Sequence, residues 1–141
     1  MNKIAVVYWS GTGNTEAMAA AVVAGAQGAG ADATLFSVAQ FGAEKLAEYD
    51  AVGFGCPAMG AETLEESEFE PMFQACVAGL SGKRVGLFGS YGWGDGEWMR
   101  TWHETCADAG VQFAADDVIC NDAPDDVALS SCKALGAALA S

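Results

Sequence analysis

Five short apolar runs recur along the chain, at Ile4 to Tyr8, Ala33 to Phe36, Ala51 to Gly55, Val85 to Gly89 and Val111 to Cys120. Runs of this kind read as strands covered on both faces, as in a parallel sheet. Helical patterns lie between them. Phe69, Met72, Phe73, Cys76, Val77 and Leu80 repeat at helical spacing, as do Trp98, Met99, Trp102, Cys106 and Ala109. Thr15 to Gln27 is Ala-rich and nearly all apolar, which suits a helix lying on a sheet, with Gly28 and Gly30 placed to end it. Asp122 is a candidate cap for a last helix whose inner side carries Leu129, Cys132, Leu135 and Leu139. The connection from Ser37 to Asp50 holds little more than one helical turn around Ala43 to Tyr49. Strand and helix alternating five times predict an α/β fold: a doubly wound, five-stranded parallel sheet with helices on both faces and right-handed crossovers.

At 141 residues and 52% hydrophobic content, the chain is expected to form a single domain over residues 1–141. The early apolar run is shorter than a signal-peptide core, and nothing later reaches bilayer-spanning length, so a cytoplasmic location without membrane contact is expected. Cys56, Cys76, Cys106, Cys120 and Cys132 are scattered and form no C-x-x-C pair, which reads as buried reduced thiols. His103 has no second histidine with which to bind a metal and reads as a surface residue. Nineteen acids against six bases give a net charge of −13, which disfavours nucleic acid and anionic membranes and favours partners with basic faces.

Three stretches do not look like ordinary connections: Ser10 to Thr15, Cys56 to Glu66 and Ser90 to Glu97. They follow strands one, three and four. In a sheet ordered 2-1-3-4-5, ligands bind beyond the carboxyl ends of the strands where the winding reverses, so all three converge on one place. In the first, Gly11 and Gly13 permit a tight turn while Ser10, Thr12, Asn14 and Thr15 supply neutral hydrogen-bonding groups before a helix. That is an anion nest at a helix N-terminus. It has no lysine and so lacks the G-x-x-x-x-G-K-S/T pattern of a nucleoside triphosphatase, which points to a permanently held monophosphate. Gly53 to Ala58 satisfies the G-x-G-x-x-A spacing, but Pro57 and the loop after it open no helix, so a dinucleotide reading is discounted. In the third stretch, Tyr91 and Trp93 stand among Gly92, Gly94 and Gly96, where a planar ligand explains aromatics that a core would not easily bury.

Tyr8-Trp9-Ser10-Gly11-Thr12-Gly13-Asn14-Thr15-Glu16, Gly55-Cys56-Pro57-Ala58-Met59-Gly60 and Gly89-Ser90-Tyr91-Gly92-Trp93-Gly94-Asp95-Gly96 together resemble the flavodoxins, in particular the short-chain clostridial type. The resemblance runs from the first strand to the last helix. It implies a flavodoxin-like fold, FMN as cofactor and single-electron transfer between redox enzymes in place of ferredoxin. It further implies that Ser10, Gly11, Thr12, Gly13, Asn14 and Thr15 hold the FMN phosphate, and that Pro57 and Ala58 line the ribityl chain. Met59 would pack on the inner flavin face and Trp93 on the outer one. The peptide between Gly60 and Ala61 would face flavin N5, Glu62 would accept the N3 proton, and the segment Ser90, Tyr91, Gly92, Trp93 and Gly94 would address the pyrimidine ring through its amides. Some relatives carry serine where Pro57 stands, and glycine or a small polar residue where Ala61 stands.

A phosphate without a basic neighbour, together with Glu62, Glu65, Glu66, Asp95 and Glu97 in the flavin-side loops, should oppose added negative charge on the flavin. At an effective dielectric of about 20, each such charge costs about 1–3 kcal/mol, which predicts a low potential. Ala61 in a tight turn is expected to disfavour the peptide orientation that needs positive φ there, at about 1–2 kcal/mol. The expected partners are redox enzymes with basic docking surfaces, oxidoreductases that otherwise use ferredoxin, and the carrier is expected to be a monomer and not an enzyme. The rival reading is an FMN-dependent NAD(P)H:quinone reductase, which would need a flavin face left open by Met59 and Trp93.

Overall fold

The computed structural model describes residues 2–59 and 63–141. In chain order the elements are β1 (Lys3–Tyr8), α1 (Asn14–Gly28), β2 (Asp32–Ser37), a single 3-10 turn (Val38–Gln40), α2 (Ala43–Leu46), β3 (Ala51–Gly55), α3 (Phe69–Val77), β4 (Arg84–Tyr91), α4 (Glu97–Asp108), β5 (Gln112–Phe113), β6 (Val118–Asn121) and α5 (Asp126–Ala140). The strands pair in parallel in the order β2-β1-β3-β4-β5, and β6 also pairs with β4. The doubly wound α/β sheet read from the sequence is therefore present. No helix among the described residues is long and apolar enough to cross a membrane.

Strand alternation divides the core into two layers. Ala5, Val7, Val52, Phe54, Val85 and Leu87 meet Phe69, Phe73, Trp98 and Trp102 from α3 and α4, while Ile4, Val6 and Phe88 meet α1 and α5. On the first side Phe54 and Trp102 each stand edge-on to both Phe69 and Phe73, with ring centres 5.2 to 6.4 Å apart. Glycines make room on the second side. A β-carbon at Gly55 would lie 2.1 Å from the Phe88 ring, and one at Gly86 would lie 2.7 Å from Leu135. Helix α1 ends where Gly30 takes a φ of 91°, so that the Ala29, Gly30 and Ala31 amides fold back onto its last carbonyls.

Two sequence expectations are corrected. The fifth strand is not continuous from Val111 to Cys120: residues 114–117 separate β5 from β6, which makes the sheet six-stranded. Asp116 and Asp117 cannot sit as core-facing strand residues without desolvating two carboxylates. Asp117 instead leaves the ladder and bonds His103 Nδ1 at 2.8 Å, and His103 stacks on Phe113 with ring centres 3.9 Å apart. The cap of α5 is Asp125, not Asp122. Asp125 is extended and its carboxylate accepts from the Ala128 amide at 2.8 Å, whereas Asp122 has a φ of 56° and gives its amide to the Tyr91 carbonyl at 2.8 Å.

The register levels the carboxyl ends of three neighbouring strands. Tyr8 pairs with both Ser37 and Gly55, and Gly55 pairs with Phe88, so the loops after β1, β3 and β4 leave the same edge of the sheet.

Candidate functional site

The first loop keeps a helix end open. Trp9 extends the β1 ladder by donating its amide to the Gly55 carbonyl at 3.0 Å, and the chain then turns through Ser10 to Gly13. Gly13 occupies the left-handed region at φ 96°, and the Ser10 hydroxyl accepts its amide at 3.0 Å. No side chain caps α1. Its first amides therefore remain available at the positive end of the helix dipole, which is the arrangement that receives an anion. Thr15, 1% exposed, places its hydroxyl 3.5 Å from that of Ser90 and so ties this loop to the end of β4.

The second loop is threaded along β4. The Cys56 amide donates to Phe88 and the Ala58 amide to Ser90, at 3.2 and 3.0 Å, and Trp98 Nε1 donates to the Cys56 carbonyl at 3.1 Å. Met59 and Thr63 then exchange two backbone hydrogen bonds of 2.8 and 3.3 Å. The expectations for Gly60, Ala61 and Glu62 lie outside the described residues.

Glu65 has a different part from the one expected. It is 6% exposed, and its carboxylate accepts the amides of Ser67, Glu68 and Phe69 and the Ser67 hydroxyl, which closes the start of α3. Burial by itself would raise its pKa. The Ser67 hydroxyl and the amides of Phe69, Glu68 and Ser67 outweigh that and bring it down to about 2. Its charge is thus spent within the protein, against four donors, rather than being a free flavin-side acid.

The third loop follows Tyr91, whose carbonyl receives the Asp122 amide and the Asn121 side-chain amide and whose ring tilts against Trp98 at 5.5 Å. Gly94 and Gly96 both have positive φ, and Trp93 is left 62% exposed. Asp95 is held by Arg100 at 3.0 Å on the surface.

The three loops enclose a cleft of about 240 Å³. Of the residues singled out from the sequence, Gly11, Thr12, Asn14, Pro57, Ala58, Met59, Ser90, Tyr91 and Gly92 line it. Ser10, Gly13, Thr15, Trp93 and Gly94 belong to the same loops without forming its wall. Trp9 and Asp122 also line it and were not anticipated. Trp9 carried a readable signal, a bulky aromatic between a strand and a glycine turn. Asp122 carried none, because it reaches the cleft through the pairing of β6 with β4. Among the described residues, no lysine or arginine lines the cleft. An uncapped helix start beside a partly apolar cleft lined by Trp9, Met59 and Tyr91 fits a phosphorylated planar molecule.

The sequence profile of the flavodoxin family matches residues 6–136. The chain belongs to the flavodoxin family. It is 45% identical to the flavodoxin of Megasphaera elsdenii over 137 residues, covering 97% of this chain and 98% of that one. It is also 45% identical to the flavodoxin of Clostridium beijerinckii over 121 residues, covering 86% and 88%. The solution structure of two-electron reduced Megasphaera elsdenii flavodoxin superposes with a TM-score of 0.89 at 46% identity, over 97% of this chain and 98% of that one. Flavodoxins bind FMN and pass electrons between redox enzymes without being enzymes themselves, and this chain is such a carrier. The quinone reductase alternative is not favoured by these relatives.

Proposed function

We propose that the whole of residues 1–141 is one FMN-binding domain that carries electrons at low potential, with the cofactor phosphate in Ser10 to Thr15 and the ring between the loops after β3 and β4. FMN supplies the one- and two-electron redox chemistry when bound. The residues of the chain hold and orient it. Ser10, Thr12, Asn14 and Thr15 offer hydroxyl and amide groups to the phosphate, with the open amides of α1 behind them. Pro57 and Ala58 would flank the ribityl chain, Met59 and Trp93 would take opposite faces of the ring, and Ser90, Tyr91, Gly92, Trp93 and Gly94 would offer backbone amides to the pyrimidine. Gly60, Ala61 and Glu62 would serve N5 and N3.

The observation that carries this reading is the uncapped start of α1 opening beside a cleft built from three loops that adjoin at one sheet edge. The phosphate sits in a loop without a basic residue in a chain of net charge −13, which supports a low potential and partners with basic faces. The same charge supports a monomer, since like-charged copies repel. A cytoplasmic location accords with the scattered, unpaired cysteines.

An absorption spectrum of purified protein during stepwise reduction tests the reading. A flavin spectrum with one FMN per chain is expected, bleaching on reduction by a chemical donor. Protein that stays colourless after incubation with FMN overturns it, as does direct reduction of quinones by NAD(P)H with no helper enzyme.

A further inference from the structure

The outer edge of β6 is a second place where the molecule is unfinished. Val118 to Asn121 pair with β4 on one side, and no described strand pairs with them on the other. An open edge of this kind presents unsatisfied backbone groups and is a template for another strand. Between that edge and α5 runs a groove of about 630 Å³, much larger than the flavin cleft. Ile119 and Val127 give it apolar surface, and Asp116, Asp117 and Asp125 give it negative charge. Ile119 and Val127 are 39% and 74% exposed, and they are two of the four large hydrophobic residues left exposed among those described. Among the described residues, no lysine or arginine lines the groove.

We propose that this edge docks a redox partner, which adds to β6 a short extended segment alternating apolar and basic residues. The proposal rests on the reading of the chain as an electron carrier and assigns it a partner surface. Backbone hydrogen bonds would supply affinity, and the alternation would place apolar side chains against the exposed Val127 and cationic ones by the aspartates. A second copy of the chain is a poorer occupant, because pairing β6 with β6 would bring the same aspartates together between two chains of net charge −13 each. The surface is also continuous with the redox site. Strand β6 ends at Asn121, the next residue Asp122 lines the cleft, and both bond the Tyr91 carbonyl. A segment added to β6 would run up to the cofactor loops, which brings a donor or acceptor close to them.

The test uses isotope-labelled, FMN-loaded protein titrated with the blocked peptide Val-Lys-Val-Lys-Val-Lys, and separately with Val-Glu-Val-Glu-Val-Glu. The lysine peptide is expected to shift the amide resonances of Val118 to Asn121 and of Val127, and to bind about tenfold more weakly in roughly 0.5 M salt. The glutamate peptide is expected to do neither. The double variant Asp116→Lys and Val127→Lys alters two exposed side chains, and should weaken the lysine peptide about tenfold while leaving the flavin spectrum and its bleaching by dithionite unchanged. Shifts confined to Met59 and Tyr91 to Trp93, no binding, or equal binding by the variant would overturn the proposal. So would sedimentation of a dimer whose interface shifts map to β6. If the native protein takes up no FMN, the carrier reading fails instead, and the peptide titration still decides the groove.

Discussion

The Ser10 hydroxyl accepts the Gly13 amide at 3.0 Å, and Gly13 makes this turn in the left-handed region at φ 96° with open space where a β-carbon would stand. A side chain there meets no neighbour, so its cost is conformational, about 1–2 kcal/mol. Gly13→Ala should weaken FMN about tenfold, since 1.4 kcal/mol is a factor of ten. Riboflavin, which lacks the phosphate, should lose much less. Fluorescence titration of apoprotein with both flavins decides it, and an equal loss for the two would place the phosphate elsewhere.

Trp93 is 62% exposed, so its removal should hardly touch the fold. Trp93→Ala is expected to change unfolding free energy of the apoprotein by less than about 0.5 kcal/mol. It should weaken FMN by about 0.5–1.5 kcal/mol, the scale of one aromatic stacking contact. Unchanged affinity would remove Trp93 from the flavin site.

Glu65 links stability to acid. Its carboxylate sits at about 2, below the ordinary 4.5, so it stabilises the fold fully above about pH 4.5, and that contribution disappears as pH falls towards 2. The difference corresponds to about 3 kcal/mol. Glu65→Gln should therefore destabilise the protein at pH 7 and flatten the decline of stability between pH 4.5 and 2. Denaturant unfolding across that range measures both, and a parallel pH curve for the variant would refute the assignment.

Gly136 on α5 packs against α1 so closely that a β-carbon would lie 1.9 Å from the Val22 carbonyl oxygen. Helix propensity alone would make Gly136→Ala stabilising by about 1 kcal/mol. The clash is with backbone and must push the two helices apart, costing about 1–3 kcal/mol or more, so the net sign should be destabilising. Thermal unfolding of the apoprotein gives the sign directly.

The thiols should differ in reactivity. Burial pushes Cys56, Cys106 and Cys132 up to about 12 and Cys76 up to about 11, and all four are buried, whereas Cys120 is partly exposed. A thiol reagent at neutral pH should modify Cys120 first and the others only on unfolding. Mass spectrometry of a partial reaction identifies the site.

Much of this was legible in the linear chain. Residues 51–55 read as a buried strand and are one, and the helical spacing from Trp98 to Cys106 falls within α4. Gly53 to Ala58 was discounted as a dinucleotide motif because no helix opens there, and the next helix begins only at Phe69. Where reading by pattern failed, a remote partner intervened. Asp117 interrupts the fifth strand and bonds His103 on α4, and Asp122, whose backbone is fixed against Tyr91 at the end of β6, leaves the cap of α5 to Asp125.

The sequence by itself determined the alternation of strand and helix, the glycine turn that opens α1, and the three unusual loops, since periodicity and turn chemistry act within a few residues of the chain. Only the tertiary structure decided that Trp9 and Asp122 enter the cleft, that Gly136 meets Val22, and that β6 keeps an open edge among the described strands. Each of these depends on how closely two distant backbones approach, and that distance is set by packing of the whole sheet and its helices, not by any local pattern.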